Sequence, residues 1–125
     1  MALSVGLRGE ARTSVTPDDT ARALGSGTVD VLGTPRIIAL CEEATCSAVS
    51  RHLPSSATTV GTKVRVDHLR PTAVGSAISA EAVLHKVEGR RLTFSVSAFD
   101  ERGLVAAGKV TRVVVDLDRF MSKCT

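Results

Sequence analysis

A chain of 125 residues with 16 Lys and Arg against 13 Asp and Glu, net charge +3, is sized for one domain, and no break in composition divides it. Trp and Tyr are absent and Phe numbers only three, so the core must come from Val, Ala, Leu and Ile, a sheet-building inventory. The cations are scattered among acids and lack aromatic neighbours, which argues against nucleic acid as a partner. A modest cationic excess suits an anionic small ligand equally well. Cys41, Cys46 and Cys124 are odd in number and lack zinc-type or redox-type spacing; this argues against a metal site or a disulfide framework and for a reducing compartment. No stretch reads as a membrane span, and the first residues lack the pattern of a secretory signal, so a cytoplasmic location is expected.

In chain order, "LSVGLRGEARTSV" (3–15) predicts a first strand, with Gly6 and Gly9 as candidate bulges. "TPDDTARALGSG" follows, with Thr16 as cap, Pro17 at the first helical position and Gly25 as stop, the signature of a short helix. Gly25 to Gly33 is rich in small residues and reads as a lid or a connecting loop. Thr34-Pro35 then repeats the cap-and-proline signal, and a long helix is expected to run to about Leu53. Ile37, Ile38, Cys41, Ala44, Thr45, Ala48, Val49 and His52 recur along it at helical spacing, so this face should pack on a sheet.

From Ala57 onward the pattern is strand. In "VGTKVRVDHLRP" strict alternation puts Val60, Thr62, Val64, Val66 and His68 on one face and Gly61, Lys63, Arg65, Asp67 and Leu69 on the other. Pro71 to Gly75 makes a turn, 76–87 a second strand, Glu88-Gly89 a tight hairpin, and "RLTFSVSAF" a third strand with Leu92, Phe94, Val96 and Ala98 inward. A last strand occupies 104–115, and 117–125 reads as a polar tail. The order predicts an α+β roll, an antiparallel sheet with one dominant helix on a single face.

Three groups in this layout can carry chemistry: a hydroxyl at the helix start, a carboxylate two turns on, and a histidine at the end of an apolar strand face. Glu42 and Glu43 are about 100° apart around a helix, so they cannot share one environment. Glu42 lies over Ile38 and beneath Thr45 and Val49, at the border of the apolar face, the setting in which a carboxylate serves as base or nucleophile. Glu43 keeps company with Arg36, Ser47 and Ser50 and belongs to solvent. His68 is directed toward the helix layer, and two readings stand for it: a strand-end histidine satisfied by a backbone carbonyl, or an acid–base group. Thr34 likewise reads as a helix cap, a role compatible with catalysis. His52 and His85 read as a helix-end and a surface histidine. No metal-ligand spacing, phosphate-binding glycine motif or nucleophile elbow is present.

"TPRIIALCEEATCSAV", "TVGTKVRVDHLRPTAVG", "HKVEGRRLTFSVSAFDERGLVAAG" and the closing "RVVVD" together resemble the hotdog-fold thioesterases, in particular the group containing fluoroacetyl-CoA thioesterase, over Ser4 to about Asp116. The resemblance implies a hotdog fold, an antiparallel sheet wrapped around one long central helix, acting as a homodimer on an acyl-CoA thioester without a cofactor or metal. It leaves open whether dimers pair into tetramers. It assigns catalysis to Thr34, Glu42 and His68, with Glu42 as nucleophile or general base, and makes Gly61 the glycine whose backbone approaches the substrate or its attacking water. Lys63, Arg65, Arg90 and Arg91 become candidates for the CoA phosphates, a solvated face being the other explanation. "GSGTVDVLG" lacks the phenylalanines that mark the fluoroacetyl-specific enzyme before the long helix, so a short or medium acyl-CoA is the expected substrate. A hotdog protein that binds or senses acyl-CoA without turnover is the alternative.

Overall fold

The structure, a computed structural model, describes residues 3–125. Five strands form one antiparallel sheet: β1 (Arg8–Ser14), β2 (Ala57–His68), β3 (Ala77–Glu88), β4 (Arg91–Asp100) and β5 (Gly103–Asp116), in the spatial order β1-β3-β4-β5-β2. Short turns join β3 to β4 and β4 to β5, so those three strands are sheet neighbours in chain order. The strands on the two outer edges, β1 and β2, are the two that precede them.

One long helix, α2 (Thr34–Val49), lies against the sheet and is prolonged by a 3-10 turn over Ser50–His52. Its buried face is Ile37, Leu40, Cys41, Ala44, Thr45, Ala48 and Val49. That is the face the spacing predicts with Leu40 added, while Ile38 and, in the 3-10 turn, His52 are only half-buried. From the sheet come alternate residues of each strand, among them Ile78, Ala80, Ala82 and Leu84 on β3 and Leu92, Phe94, Val96 and Ala98 on β4. Each large side chain fully removed from water here contributes about 1.5–3 kcal/mol, and Phe94, Leu84, Leu92, Ile37 and Leu40 dominate by volume.

Neither glycine expected to bulge the first strand does so: Gly6 precedes β1 in a turn with positive φ, and Gly9 has another role. Pairing of β1 with β3 runs without interruption from Arg8 to Ser14. Gly9 instead sits where α2 crosses the strand, and a β-carbon there would overlap the Ala44 carbonyl oxygen and the backbone of Ala48. Strand and helix approach this closely because the residue is glycine.

The segment after β1 divides into a 3-10 turn at Pro17–Asp19 and a single helical turn, α1 (Ala21–Leu24). Thr16 begins the first piece in a capping box with Asp19, but the residue that caps α1 is Thr20, whose hydroxyl accepts from the Ala23 amide, and Gly25 ends α1 in the left-handed conformation. The loop from Gly25 to Gly33 is tied down by two isolated bridges, Thr20 with Leu32 and Val31 with Ala73. The closing residues form a short helix, α3 (Leu117–Met121), capped by the Asp116 carboxylate on the Arg119 amide.

The strict alternation expected along β2 does not hold. Gly61 pairs with Arg112 and Lys63 with Thr111, leaving Thr62 as an extra residue in a β-bulge. The strand changes face at that point. Thr59 and Gly61 turn toward the helix before the bulge, whereas Val64, Val66 and His68 do so after it, opposite Val110, Gly108 and Ala106. Val60, expected beside His68, stands opposite Val113 on the other side of the sheet.

Candidate active site

Two groups of side chains meet between α2 and β2. At the start of the helix the N-cap is Gly33, with extended backbone angles, so Thr34 is the first helical residue rather than the cap and its side chain makes no capping bond. The freed hydroxyl meets the end of β2: Thr34 Oγ1 and His68 Nδ1 stand 2.7 Å apart, a hydrogen bond whose direction follows the histidine tautomer. His68 is half-buried, and its Nε2 is buried with no hydrogen-bond partner among the described residues. The reading of His68 as a histidine held by a backbone carbonyl is thereby set aside.

Two turns along α2, Glu42 reaches the strand near the bulge. Its Oε2 lies 3.3 Å from Nη1 of Arg112, a residue of β5 whose side chain is 9% exposed while that of Glu42 is 33% exposed. The guanidinium is fixed from two further sides, Nε donating to Thr59 Oγ1 at 2.8 Å and Nη2 to the Thr59 carbonyl at 3.0 Å. A planar guanidinium bonded through all three of its nitrogens holds a carboxylate in one orientation, which a lysine could not do. Gly61 closes this group from beneath: a β-carbon at that position would lie 2.5 Å from Glu42 Oε2. The carboxylate therefore rests on bare backbone. Glu43, one residue along, is exposed.

Arg112 is the residue the sequence reading overlooked, although its signal is present in "KVTRVVVD". Val110 and Val114 are inward and period two places Arg112 between them, so an arginine in an apolar row was the sign of a paired, buried charge. Other candidates recede. Burial first, and the neighbouring Glu42 charge second, push the Cys41 thiol up to about 11, so Cys41 serves as core and not as a nucleophile. Among the described residues no three His, Cys, Asp or Glu side chains gather as a metal site would require.

Thr34 with His68, and Glu42 with Gly61 and Arg112, are separate groups within the chain, with no direct hydrogen bond between them among the described residues. Eight helical residues at about 1.5 Å each set Thr34 and Glu42 roughly 12 Å apart along the axis.

An antiparallel sheet curled over one central helix, with polar groups gathered between that helix and the outer strand, is the hotdog fold. It is shared with a thioesterase superfamily member from Thermus thermophilus, at a TM-score of 0.90 and 26% identity over 98% of this chain and 91% of that one. The sequence model of FlK, described as fluoroacetyl-CoA-specific thioesterase, matches residues 15–118. The fluoroacetyl-CoA thioesterase of Streptantibioticus cattleyicolor is 33% identical over 94 residues, which cover 75% of this chain and 68% of that protein. A solved structure of the fluoroacetyl-CoA thioesterase FlK aligns with a TM-score of 0.92 and 30% identity, over 99% of this chain and 96% of that one. The chain belongs to the fluoroacetyl-CoA-specific thioesterase family.

Proposed function

We propose that this protein is a cytoplasmic, homodimeric acyl-CoA thioesterase, a single hotdog domain in which Thr34, Glu42 and His68 carry the hydrolysis and Gly61 leaves room for the reacting atoms. The observation that carries the reading is the pairing of Thr34 with His68 at the start of α2, together with a carboxylate two turns along that Arg112 orients over bare backbone. As a general base, Glu42 takes a proton from water, the water oxygen attacks the thioester carbonyl, the C–S bond breaks, and the CoA thiolate leaves. As a nucleophile, Glu42 attacks the carbonyl itself, the C–S bond breaks with loss of the CoA thiolate to leave an anhydride, and water then opens the anhydride to the free acid and the Glu42 carboxylate. In either course His68 moves the proton that the departing sulfur acquires, Thr34 holds the imidazole through Nδ1, and the exposed backbone at Gly61 lets the carbonyl or the water come close.

The separation of the two groups along α2 supports a site completed by a second copy of the chain. An outer strand of 12 residues such as β2 is also an edge that folded proteins cover. The cytoplasmic assignment rests on three free cysteines among the described residues and on the acyl-CoA chemistry. Among the described residues no helix is long and apolar enough to cross a membrane. The acyl group is short or medium. Gly25 to Gly33 contains no aromatic residue to close over a fluorinated carbon, and a small change in a pocket is worth only about 1–3 kcal/mol.

The test is free-thiol release from acetyl-, fluoroacetyl- and butyryl-CoA side by side, with the molecular mass followed by light scattering. Hydrolysis by a dimer with little fluorine preference is expected. Binding without turnover of any of the three would favour a sensor, a fully active monomer would remove the shared site, and a preference above about 1,000-fold for fluoroacetyl-CoA would show a gate that needs no phenylalanine.

A further inference from the structure

Asp100, at the end of β4, is a buried carboxylate that the chemistry of the cleft does not use. Its side chain is 4% exposed, and three donors converge on it: Arg70 Nη2 and the Arg102 amide on Oδ1, and the Thr72 hydroxyl on Oδ2, each at 2.8 Å. Removing a carboxylate from water is costly unless bonds of this kind offset it, and two of the three reach the segment that leaves β2. Arg70 stands two residues past His68 and is clamped again by Nε on the Leu104 carbonyl at 3.2 Å. Thr72 is buried. The same segment carries the approach to α2. Its Thr72 carbonyl accepts from the Leu32 amide at 2.9 Å, and Ala73 bridges to Val31. Leu32 stands two residues before Thr34. From Val31 to Arg36 the chain forms one body with the turns before it: the Val31 carbonyl accepts from the Ala21 amide at 2.9 Å, the Asp19 carbonyl from the Gly33 amide at 2.9 Å, and the Asp19 carboxylate from Arg36 Nε at 3.2 Å.

We propose that Asp100 is a positioning residue for the hydrolysis: by fixing Arg70 and Thr72 to the sheet it sets where the first turn of α2 stands against the end of β2, and so whether the Thr34 hydroxyl meets His68 Nδ1. The inference rests on the thioesterase reading of that pair and deepens it. Asp100 touches neither partner. His68 is placed by the sheet, opposite Ala106, whereas Thr34 belongs to the body joined to the sheet at residues 72 and 73, and their 2.7 Å hydrogen bond spans the two. The buried face of α2 begins one turn on, at Ile37, so core packing fixes the helix axis and leaves the first turn to the contacts that precede it. A threonine hydroxyl has one side-chain torsion with a few staggered settings, and it cannot follow a backbone that shifts. A displacement of about 1 Å between reacting groups is enough to slow a reaction by orders of magnitude. One carboxylate thus governs the approach to both partners, through Arg70 on the histidine side and through Thr72 and Leu32 on the threonine side.

The experiment compares wild type with Asp100→Ala, and with Thr72→Val, which cuts the carboxylate from the approach to α2 while leaving Arg70 bonded and carries the same expectations should the first variant fail to fold. Each is made again in a Thr34→Val background. Thiol release from acetyl- and butyryl-CoA gives kcat and KM, and long-range 1H–15N spectra report the ring nitrogens of His68, with His52 and His85, the other histidines of the chain, as references. Asp100→Ala should lower kcat by about 10-fold with KM within about 2-fold, and in the Thr34→Val background it should change kcat by less than about 2-fold, because the bond it disturbs is already gone. Its His68 Nδ1 signal should move toward the position found in Thr34→Val while His52 and His85 stay. Asp100→Asn, whose amide can still meet Arg70, Arg102 and Thr72, should recover most of the rate. An unmoved His68 signal overturns the proposal, and so does a kcat within about 2-fold of wild type or a loss of equal size with and without the Thr34 hydroxyl, which marks a role in folding alone. A wild type that hydrolyses neither thioester, but whose His68 signal still moves with Asp100, overturns the thioesterase reading and leaves the positioning of the pair standing.

Discussion

Gly61→Ala isolates the contact on which the proposed chemistry depends. The added methyl carbon would lie 2.5 Å from Glu42 Oε2 and 3.4 Å from Arg112 Nη1. Ordinary contact between such atoms is roughly 3.5 Å, so the guanidinium can stay while the carboxylate must withdraw by about 1 Å. It can do so at little cost to the fold, because it is the far end of a partly exposed side chain and Gly61 is not among the glycines with positive φ. Alanine also restricts the unfolded chain more than glycine does, and the net change in stability should stay within about 1 kcal/mol. Misplacing a reacting group by about 1 Å costs on the order of 100-fold in rate. We therefore expect kcat for acetyl-CoA hydrolysis to fall by about 100-fold with the thermal midpoint nearly unmoved. Turnover within about 3-fold of wild type would refute the reasoning, and so would a midpoint lowered by more than about 8 °C, since the close approach would then serve packing.

Other expectations follow from the same geometry. Glu42→Gln keeps the shape and removes the base, so thiol release should slow by at least about 100-fold, while Glu43→Gln, on the exposed side of the helix, should stay within about 2-fold. Arg112→Lys retains charge but cannot make all three bonds to Thr59 and Glu42; urea denaturation should show a loss of about 1–3 kcal/mol, and kcat should fall with it. Asp100 gives a pH signature. Burial alone would raise its pKa, but the Thr72 hydroxyl, the Arg102 amide and the Arg70 guanidinium outweigh it and hold the carboxyl below its ordinary value. A folded-state pKa below the unfolded one means stabilisation that is present above the unfolded value of about 3.8 and is lost as pH falls through the folded one. Urea midpoints measured from neutral to acid pH should thus decline less steeply for Asp100→Asn than for wild type.

The long helix, the succession of strands along the chain and the inward residues of β4 were legible because hydrophobic periodicity reports burial directly. The difference between Glu42 and Glu43 was legible too, since a rotation of about 100° separates them on any helix. What lay beyond reach depends on partners distant in sequence or on backbone angles. Thr-Pro is a cap signal, yet Gly33 supplies the extended conformation at the cap, and what occupies the Thr34 hydroxyl is a histidine 34 residues away. The bulge at Thr62 was hidden because "VGTKVRVDH" satisfies strict alternation as written, and only pairing with β5 reveals the extra residue. Arg112 lies between these cases, since its inward position follows from its neighbours but the carboxylate it would meet does not.

The bulge also makes the cleft a matter of counting. Gly61 and His68 are seven positions apart, an odd interval that a regular strand sends to opposite sides, and one surplus residue brings both to the side of α2. Side chains between them are largely exposed and can vary. The number of residues cannot: losing one would rotate either the glycine or the histidine away from the helix. Insertions and deletions in this strand are therefore confined to even numbers, or to pairs that compensate on either side of Thr62. A hotdog sequence that keeps a glycine and a histidine here at an even interval would have to build the same cleft without this bulge.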